Sequence, residues 1–455
     1  MSEQAAAPRF SSRLAFIVAT AGSAIGLGNV WSFTYVAGVN GGAGFILVYL
    51  LALAFIATPV FVAELLLGRM GRANPVTALK SLARQSGSRL PWHWVAWVGL
   101  VATILVLSFY SVIAGQIMAY GYQALAGGMT EWSVEAIRSF DGEFKSNPTG
   151  PLLWSAIFCA ITATIVAAGV QGGIERASKL MMPALFIMLI GMVVYAAFTG
   201  GFSQALNFLF GFNDMTFGPK LFLDAVGQAF FTIGVGVGGI MIMGSYMGRD
   251  VHLPNAAGSV VLMDLAVALL AGLAIFPLLF ANNMSPDVGP GLVFVTLPVV
   301  FTEIPAGAVV AFVFFLLLTF AALTSSIVLL SPTAAKLEEY GVRRPVAAWI
   351  MALVVLVLST LTVLSFSTWS EFYPLAFVGL DHHTWFDLIR EGVNNIVLPL
   401  GGVAFALMVG WGLPKDRVQE TLSLGHSGLF QFLYVLIRYV VPVAIAALFL
   451  GAVLG

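Results

Sequence analysis

Eleven long apolar runs dominate the sequence, and they restrict the fold more than any other feature. A helix needs about 20 apolar residues to cross the hydrocarbon layer of a membrane. The chain is 60% hydrophobic and 9% charged over 455 residues, which is too little polar surface for a water-soluble globule. We therefore predict an all-α polytopic membrane protein with spans near residues 14–38, 44–67, 93–124, 150–170, 178–199, 221–247, 256–281, 305–335, 344–367, 384–412 and 429–453.

The basic residues are distributed unevenly between the two sides of these spans. With a cytoplasmic N-terminus, fifteen fall in inner segments: Arg9, Arg13, Arg69, Arg72, Lys80, Arg84, Arg89, Arg176, Lys179, Arg249, Lys336, Arg343, Arg344, Lys415 and Arg417. Four fall outside (Arg138, Lys145, Lys220 and Arg390), and Arg438 lies within the last span. The positive-inside rule therefore predicts a cytoplasmic N-terminus and an outer C-terminus. We expect no cleavable signal, because Met1–Phe10 is polar and the first apolar run is too long.

Two of the spans are interrupted by glycines. The first contains Ala21-Gly-Ser-Ala-Ile-Gly-Leu-Gly-Asn29 and the sixth contains Gly234-Val-Gly-Val-Gly-Gly239. Glycine destabilises a helix by about 1 kcal/mol relative to alanine, and unpaired backbone groups are tolerated at membrane depth only beside a cavity. Such breaks at corresponding positions of two five-helix halves indicate an inverted-repeat transporter with a midplane site. For either break alone, the alternative is close helix packing at glycine.

The chain is predicted to form one transmembrane domain over residues 1–455, because no long polar linker separates the spans. The first repeat is expected at about 14–199, the second at about 221–412, and an extra helix at about 429–453. The single cysteine, Cys159, lies in an apolar run, so we expect it to pack and to form neither a disulfide nor a metal site.

Several motifs along the chain occur in a characteristic order. They are Gly22-Ser-Ala-Ile-Gly-Leu-Gly-Asn29, Asn40-Gly-Gly-Ala-Gly-Phe45, Glu64 with Leu67-Gly-Arg69, Ser108-Phe-Tyr110, Gln228-Ala-Phe-Phe-Thr232, Gly289-Pro-Gly-Leu-Val-Phe-Val-Thr-Leu-Pro298 and Leu323-Thr-Ser-Ser326. The set resembles the neurotransmitter:sodium symporter family over essentially the whole chain, and it is most similar to bacterial eleven-helix amino acid transporters. The resemblance implies sodium-coupled import of an amino acid by alternating access in a bacterial inner membrane, with no enzymatic activity.

The resemblance also implies two sodium sites. Sodium site one would use Ala24, Asn29, Thr232 and Asp264 together with the substrate carboxylate. Sodium site two would use Gly22, Ile25, Ala321, Thr324 and Ser325. Serine and threonine in a membrane helix commonly bond a carbonyl of their own helix. Two readings therefore stand for Thr324 and Ser325, ordinary helix bonding and sodium ligation, and the matching break in the first span favours ligation.

Asp264 is the next most informative residue, since it is an isolated acid inside an apolar span. An intramembrane acid is costly and marks a functional site by default. In chloride-dependent relatives an anion beside residues that match Tyr49, Gln228 and Thr232 offsets the sodium charge. A fixed carboxylate at Asp264 would replace that anion, so we predict chloride-independent transport, with proton antiport through Asp264 left open.

The resemblance further implies a substrate pocket between the two breaks. Amides near Gly26 would bind a carboxylate with the Tyr110 phenol, and carbonyls near Ala24 would bind an ammonium. The predicted pocket comprises Ala24, Gly26, Leu27, Gly28, Val106, Tyr110, Phe231, Thr232, Gly234, Val237, Ser325 and Leu329. Glycine at position 26 leaves room for the carboxylate, and Gly234 and Val237 are small. We therefore expect a neutral hydrophobic or aromatic amino acid.

The gates depart from the family pattern. Ser32 and Arg390 occupy the positions of the usual outer arginine–aspartate pair, while Glu339 and Tyr246 match inner-gate positions. Arg390 is expected either to be a bystander paired with Asp224, Asp387 or Glu391, or to bind a non-α-amino acid, sulfonate or acidic substrate. At the inner side a pairing of Arg9 with Glu339 is a further hypothesis. Glu64 is expected to be buried behind the first helix and bonded to unwound amides.

Other classes of function fit less well. An intramembrane enzyme needs a catalytic pair or a metal cluster, whereas the histidines all fall near span ends or loops: His93, His252, His382, His383 and His426. A channel needs a continuous polar pore, and a scaffold would have lost the sodium residues. The expected partners are the amino acid, sodium ions and the lipid bilayer, without nucleic acid. The sequence leaves open the exact substrate, the stoichiometry and whether the protein forms a homodimer.

Overall fold

The computed structural model describes residues 9–127, 132–211, 217–248, 250–286, 289–380 and 382–454. Every regular element among them is helical. The helices, in chain order α1 to α18, are Arg13–Ala24, Gly28–Val39, Ala43–Gly71, Pro75–Gln85, His93–Leu125, Val134–Ser146, Thr149–Ala167, Val170–Ala197, Phe202–Phe210, Pro219–Ile233, Gly239–Ser245, Leu253–Ala281, Thr296–Glu303, Gly307–Glu339, Arg344–Phe366, Trp385–Gly412, Lys415–Leu422 and Gly428–Leu450. Arg249, which was assigned to an inner segment, and residues 1–8 lie outside the described residues.

The predicted membrane class is confirmed. Nine helices of the described chain are long and apolar enough to cross a membrane, and a tenth span results when α1 and α2 are joined. The remaining predicted span, 221–247, is divided into α10 and α11, each too short to cross alone. The chain is thus an all-α polytopic membrane protein with two broken helices. A count of eleven spans is not confirmed, and the repeat boundaries stay a prediction.

The break in the first span bends the chain by 52° between α1 and α2. The Ile25 amide still bonds the Ala21 carbonyl, but Ile25 itself has φ −72° and ψ 102°, an extended conformation that ends the helix. The second half restarts at Gly28. As a result, the backbone between α1 and α2 has amides and carbonyls that do not bond within a helix.

The break in the sixth span is sharper and depends on glycine conformation. Gly234 and Gly236 have φ of +69° and +99°, in the left-handed region that other residues rarely adopt. Gly236 is required for a second reason, since a Cβ there would lie 2.2 Å from the Leu398 carbonyl oxygen. The sequence therefore stops α10 at Ile233 and starts α11 at Gly239.

Packing places the two breaks beside each other in the centre of the bundle. Helix α1 packs against α12 and α14, and the start of α2 packs against α10 and α12. Helix α11 packs against α3 and α14, and α14 also packs against α1. Helix α5 approaches the first break through Tyr110 and the second through Gly99. Residues of all these helices belong to one buried apolar core. The unwound segments are consequently enclosed by protein, as backbone at membrane depth must be.

Candidate functional site

A cavity of about 70 Å³ lies between the two helix breaks. All twelve residues of the predicted substrate pocket line it. Six further residues line it that the sequence did not indicate, namely Ser23, Gly239, Ile240, Val328, Asn394 and Leu398. None of the described lining residues carries a charge. The structure thus brings the predicted pocket together, while the binding role of each residue stays a prediction.

The first break and Tyr110 form the polar side of the cavity. The Leu27 amide donates to the Tyr110 hydroxyl over 3.5 Å, and the Gly26 amide donates to Asn29 Oδ1 over 3.0 Å. A Cβ on Gly26 would lie 2.5 Å from Ser325 Oγ and 3.3 Å from the Tyr110 hydroxyl. Position 26 therefore leaves space for a ligand atom only because it is glycine.

The apolar side of the cavity comes from several different helices. Val106 is on α5, Phe231 is on α10, and Val328 and Leu329 are on α14. Val328 lies one helical turn after Thr324, so helical periodicity could have identified it. Asn394 and Leu398 come from α16, and no sequence signal shows which face of that span meets the cavity.

Hydroxyl and carbonyl oxygens converge where α14 crosses the first break. Thr324 Oγ1 lies 3.4 Å from the Ile25 carbonyl oxygen and 3.0 Å from that of Ala321. Ser325 Oγ lies 3.3 Å from the Ser23 carbonyl oxygen and 3.4 Å from that of Ile25. The Ser23 carbonyl was not among the predicted ligands. This set of neutral oxygens is chemically suited to sodium, whose coordination by unwound carbonyls is common in such folds.

Gly22 is placed near this oxygen cluster by close packing. A Cβ on Gly22 would lie 3.2 Å from Thr324 Cβ, so the two backbones approach closely here. Thr324 also bonds the Phe320 carbonyl within its own helix, over 3.1 Å. Its hydroxyl therefore makes both the ordinary helical bond and the contact across to the first break.

Asn29 and Asp264 form the centre of the other predicted sodium site. Asn29 Nδ2 donates to Asp264 Oδ1 over 2.7 Å and to the Asp264 carbonyl over 3.1 Å. Asp264 is fully buried, and within the described segments its Oδ2 has no hydrogen-bond partner. A buried carboxylate oxygen without a hydrogen-bond partner is costly, so this atom is a candidate ligand for a cation.

The residues that match the chloride-site neighbours contact one another. The Tyr49 hydroxyl lies 3.3 Å from Thr232 Oγ1, and Thr232 Oγ1 donates to the Gln228 carbonyl over 3.0 Å. Gln228 Nε2 donates to the Gly28 carbonyl over 2.9 Å, and Gln228 Oε1 accepts from Ser32 over 2.7 Å. Ser32, predicted as a gate position, therefore bonds a neutral glutamine on α10.

Arg390 does not reach the cavity. Its guanidinium pairs with Glu391 over 3.0 Å and lies over the Phe386 ring, with 44% of the side chain exposed. Of the expected partners Asp224, Asp387 and Glu391, only Glu391 is used. Asp387 instead caps its helix through Thr384.

The inner-gate pairing of Arg9 with Glu339 is not made, which corrects that hypothesis. Glu339 pairs with Lys336 over 3.1 Å and accepts from Thr77 over 2.7 Å. The ion pair at this end of α14 joins the preceding acid, Glu338, to Arg344 over 3.1 Å. Helical phase explains why Glu338, and not Glu339, pairs with Arg344. Adjacent residues of a helix point about 100° apart, so only one of the two acids can face Arg344.

Tyr246 lies where the segment before α1 docks. The Phe10 amide donates to the Tyr246 carbonyl over 3.3 Å, and the two rings pack edge to face. Tyr246, Glu338 and Arg344 also line a second cavity at this end of the bundle. The predicted gate position therefore lies where the segment before α1 contacts the end of α11.

Glu64 is buried, as expected, but beside the other break. Its carboxylate accepts from the amides of Gly236, Ile240 and Met241 over 2.9, 3.2 and 3.2 Å. These amides belong to the sixth span, whereas the prediction placed Glu64 behind the first. The carboxylate satisfies the free amides at the start of α11, where a negative charge is also favoured by the helix dipole.

Comparison with known proteins identifies the family. Residues 7–138 and 131–454 match the description "Sodium:neurotransmitter symporter family", which covers nearly the whole chain. The chain belongs to the sodium:neurotransmitter symporter family. The resemblance carried by the sequence motifs is thereby confirmed.

Three relatives match this family member over nearly their full length. The uncharacterized sodium-dependent transporter YhdH of Bacillus subtilis (strain 168) is 35% identical over 461 residues, covering 100% of this chain and 99% of that protein. An uncharacterized sodium-dependent transporter of Haemophilus influenzae is 29% identical over 450 residues, covering 97% of each. The crystal structure of MhsT in complex with L-phenylalanine is similar with a TM-score of 0.90 and 38% identity, covering 98% of this chain and 99% of that one.

Proposed function

We propose that this protein is a secondary active symporter that couples sodium entry to import of a neutral hydrophobic or aromatic amino acid, and that it performs no catalysis. The observation that carries this proposal is the cavity between the two helix breaks. It offers backbone amides and the Tyr110 hydroxyl at one side and apolar side chains at the other. An amino acid has the same two-part character, since its charged backbone end differs from its side chain.

The absence of charge among the described lining residues supports a neutral substrate side chain. A substrate with a second anion needs a cationic partner, and Arg390 is engaged with Glu391 outside the lining. The similarity to MhsT, whose crystal structure contains L-phenylalanine, supports the same class. We therefore favour phenylalanine-like and aliphatic amino acids over taurine, ω-amino acids or dicarboxylates.

Sodium coupling is supported by the two oxygen clusters that flank the cavity. One joins the Ile25 carbonyl to Thr324 and Ser325, and the other contains Asn29 and Asp264. Both share the first break with the predicted carboxylate site, so bound sodium and substrate would stabilise the same segment. Preferential binding of sodium to one conformation would shift the equilibrium between inward-open and outward-open states. We propose alternating access on this basis.

Chloride independence is part of the proposal. Asp264 supplies a fixed negative charge next to Asn29, where chloride-dependent relatives use a bound anion. We further propose an inner-membrane location with a cytoplasmic N-terminus, on the strength of the basic-residue distribution.

The decisive experiment is uptake by proteoliposomes that contain the purified protein. Radiolabelled L-phenylalanine is offered with an inward sodium gradient or an equal potassium gradient, and with chloride or gluconate as the anion. We expect uptake with sodium only, equal in both anions, and competition by hydrophobic amino acids. Equal uptake in potassium would overturn the coupling, a chloride requirement would overturn the role of Asp264, and competition only by dicarboxylates or taurine would restore the Arg390 hypothesis.

A further inference from the structure

Arg438 is a charged residue inside the last apolar span, and nothing in the transport mechanism uses it. It lies ten residues after the start of α18, about 15 Å along the helix axis. The turns before it expose Leu429, Phe432 and Val435, which are 57%, 52% and 46% exposed. Apolar side chains so exposed belong in lipid, so Arg438 lies deeper than the surface of the bilayer. A charged residue at such depth is costly and usually has a specific partner.

Residues of α16 and α18 pack closely around Arg438. A Cβ on Gly410 would lie 2.9 Å from Arg438 Cα and 3.1 Å from Arg438 Cβ, so α16 and α18 touch here. Trp411 Nε1 donates to the Arg438 carbonyl over 3.1 Å, and the Tyr434 hydroxyl donates to the Gly410 carbonyl over 3.0 Å. The guanidinium stacks 4.1 Å from the centre of the Trp411 ring and 5.4 Å from that of Tyr439.

These contacts leave most of the guanidinium donors unmet. Arg438 Nη1 donates to the Tyr434 hydroxyl over 3.3 Å, while the buried Nε has no hydrogen-bond partner among the described residues. Ring stacking uses the face of the guanidinium, whereas its five N–H groups lie in its plane and need acceptors. No carboxylate pairs with Arg438 in the described part of the chain. The described residues therefore supply no anionic acceptor to this guanidinium.

A second cation approaches the same rings. Lys415, on α17, lies 5.5 Å from the centre of the Tyr434 ring, and Arg438 lies 5.8 Å from that centre. Lys415 is also 5.7 Å from the Phe430 ring, one turn earlier on α18. The two cations thus lie along one side of α18 at neighbouring positions, with Lys415 nearer the start of the helix at Gly428. Trp411 and Tyr439, which are 57% and 48% exposed, border this face.

We propose that this face binds a membrane phospholipid with a net negative headgroup, whose phosphate is held between Lys415 and Arg438. Basic pockets between membrane helices are suited to anionic headgroups, and arginine forms paired hydrogen bonds to phosphate oxygens. A zwitterionic headgroup fits less well, because its own cation would face two protein cations. The lipid belongs to the leaflet on the side of Lys415.

The test compares anionic and zwitterionic lipids on the purified full-length chain in detergent. Phosphatidylglycerol or phosphatidylcholine is added at equal concentration, the Tm is followed by tryptophan fluorescence, and retained lipid is counted by native mass spectrometry. We expect phosphatidylglycerol to raise the Tm several degrees more than phosphatidylcholine and to be retained. Arg438→Gln and Lys415→Gln should remove this difference, while Arg84→Gln, at an exposed arginine, should preserve it.

Two outcomes overturn the proposal. One is an equal response to the two lipids in the unmodified protein, and the other is a difference that survives in both variants. Glycerol 3-phosphate serves as the soluble anion, and a matching shift with it would show an ordinary phosphate site instead of a lipid site. If Arg438→Gln does not fold, the exposed Lys415→Gln and the retained-lipid count decide. No transport activity is required, so the result is independent of the proposed function.

Discussion

Asn29 Nδ2 donates to Asp264 Oδ1 over 2.7 Å, which joins the break in the first span to the only acid of α12. The same asparagine accepts the Gly26 amide through Oδ1, over 3.0 Å. The conformation of the candidate carboxylate-binding segment is therefore coupled directly to Asp264. The Asn29 side chain therefore links the charge at Asp264 to the Gly26 backbone, which lines the cavity.

This coupling leads to the first prediction, for Asp264→Asn. The amide has the shape of the carboxylate but lacks its charge, so sodium loses a fixed counter-charge beside the site. We expect uptake in gluconate to fall at least about tenfold, corresponding to about 1.4 kcal/mol, and to recover in part with chloride. Uptake into proteoliposomes in the two anions measures this. Asp416→Asn, at an exposed position, is the control, and an unchanged Asp264→Asn protein would contradict the assigned role.

Thr324→Val is the second prediction and addresses the other oxygen cluster. The change keeps the shape of the side chain but removes the hydroxyl that lies 3.4 Å from the Ile25 carbonyl. Hydrogen bonds to charged groups contribute roughly 1.5–3 kcal/mol. We take a similar magnitude for the contact between the Thr324 hydroxyl oxygen and a bound sodium ion. We therefore expect the sodium concentration for half-maximal thermal stabilisation to rise about tenfold or more. The control is Thr319→Val, on the same helix, whose hydroxyl bonds the Phe315 carbonyl.

The third prediction is Gly26→Ala. The added Cβ would lie 2.5 Å from Ser325 Oγ and 3.3 Å from the Tyr110 hydroxyl. Overpacking a filled site typically costs about 1–3 kcal/mol, so affinity for L-phenylalanine should fall roughly five- to 150-fold. Scintillation proximity binding checks this, with Gly227→Ala as control because a Cβ there meets no atom within 4 Å. Wild-type affinity in Gly26→Ala would place the substrate elsewhere.

Glu64→Gln is the fourth prediction and concerns stability. Two carboxylate oxygens accept three amides of the sixth-span break. Glutamine offers one oxygen and turns two N–H donors toward those amides, which leaves buried donors unmet at a cost of about 1–3 kcal/mol each. The Tm should fall clearly, while Glu420→Gln, at an exposed acid, should melt as the unmodified protein does. An equal Tm for Glu64→Gln would show that this break is held by packing alone.

Much of this architecture could be predicted from the sequence because glycine and polar residues are so unusual in apolar spans. The breaks at Gly26 and Gly234 follow from that contrast, whereas twelve of the cavity-lining residues and the burial of Glu64 were implied by the family resemblance. Which break Glu64 serves could not be predicted, since burial does not specify which neighbouring backbone supplies the donors. The sixth span shows a further difficulty, because its glycines divide it into helices too short to count as spans.

Side-chain pairing near the helix ends was also hard to predict, because residue type does not specify which neighbour a side chain contacts. Arg9 precedes the first helix, so its position depends on where Phe10 docks, and Phe10 docks against Tyr246. The choice between Glu338 and Glu339 depends on helical phase at the last turn of α14. Neither quantity can be read from residue type, so the pair Glu338–Arg344 emerged only from the structure.

Arg390→Ala, the last prediction, separates the two substrate classes. Arg390 is 44% exposed and pairs with Glu391, and exposed ion pairs contribute only about 0–1 kcal/mol. The guanidinium lies outside the described cavity lining, so removing it should change affinity for L-phenylalanine less than about fivefold. Equilibrium binding of L-phenylalanine measures this. Tyr110→Phe is the comparison variant, and it should weaken binding because it removes a hydroxyl from the cavity. If Arg390→Ala abolishes binding while Tyr110→Phe does not, the substrate contacts Arg390 outside the described cavity, and an anionic side chain becomes the better hypothesis.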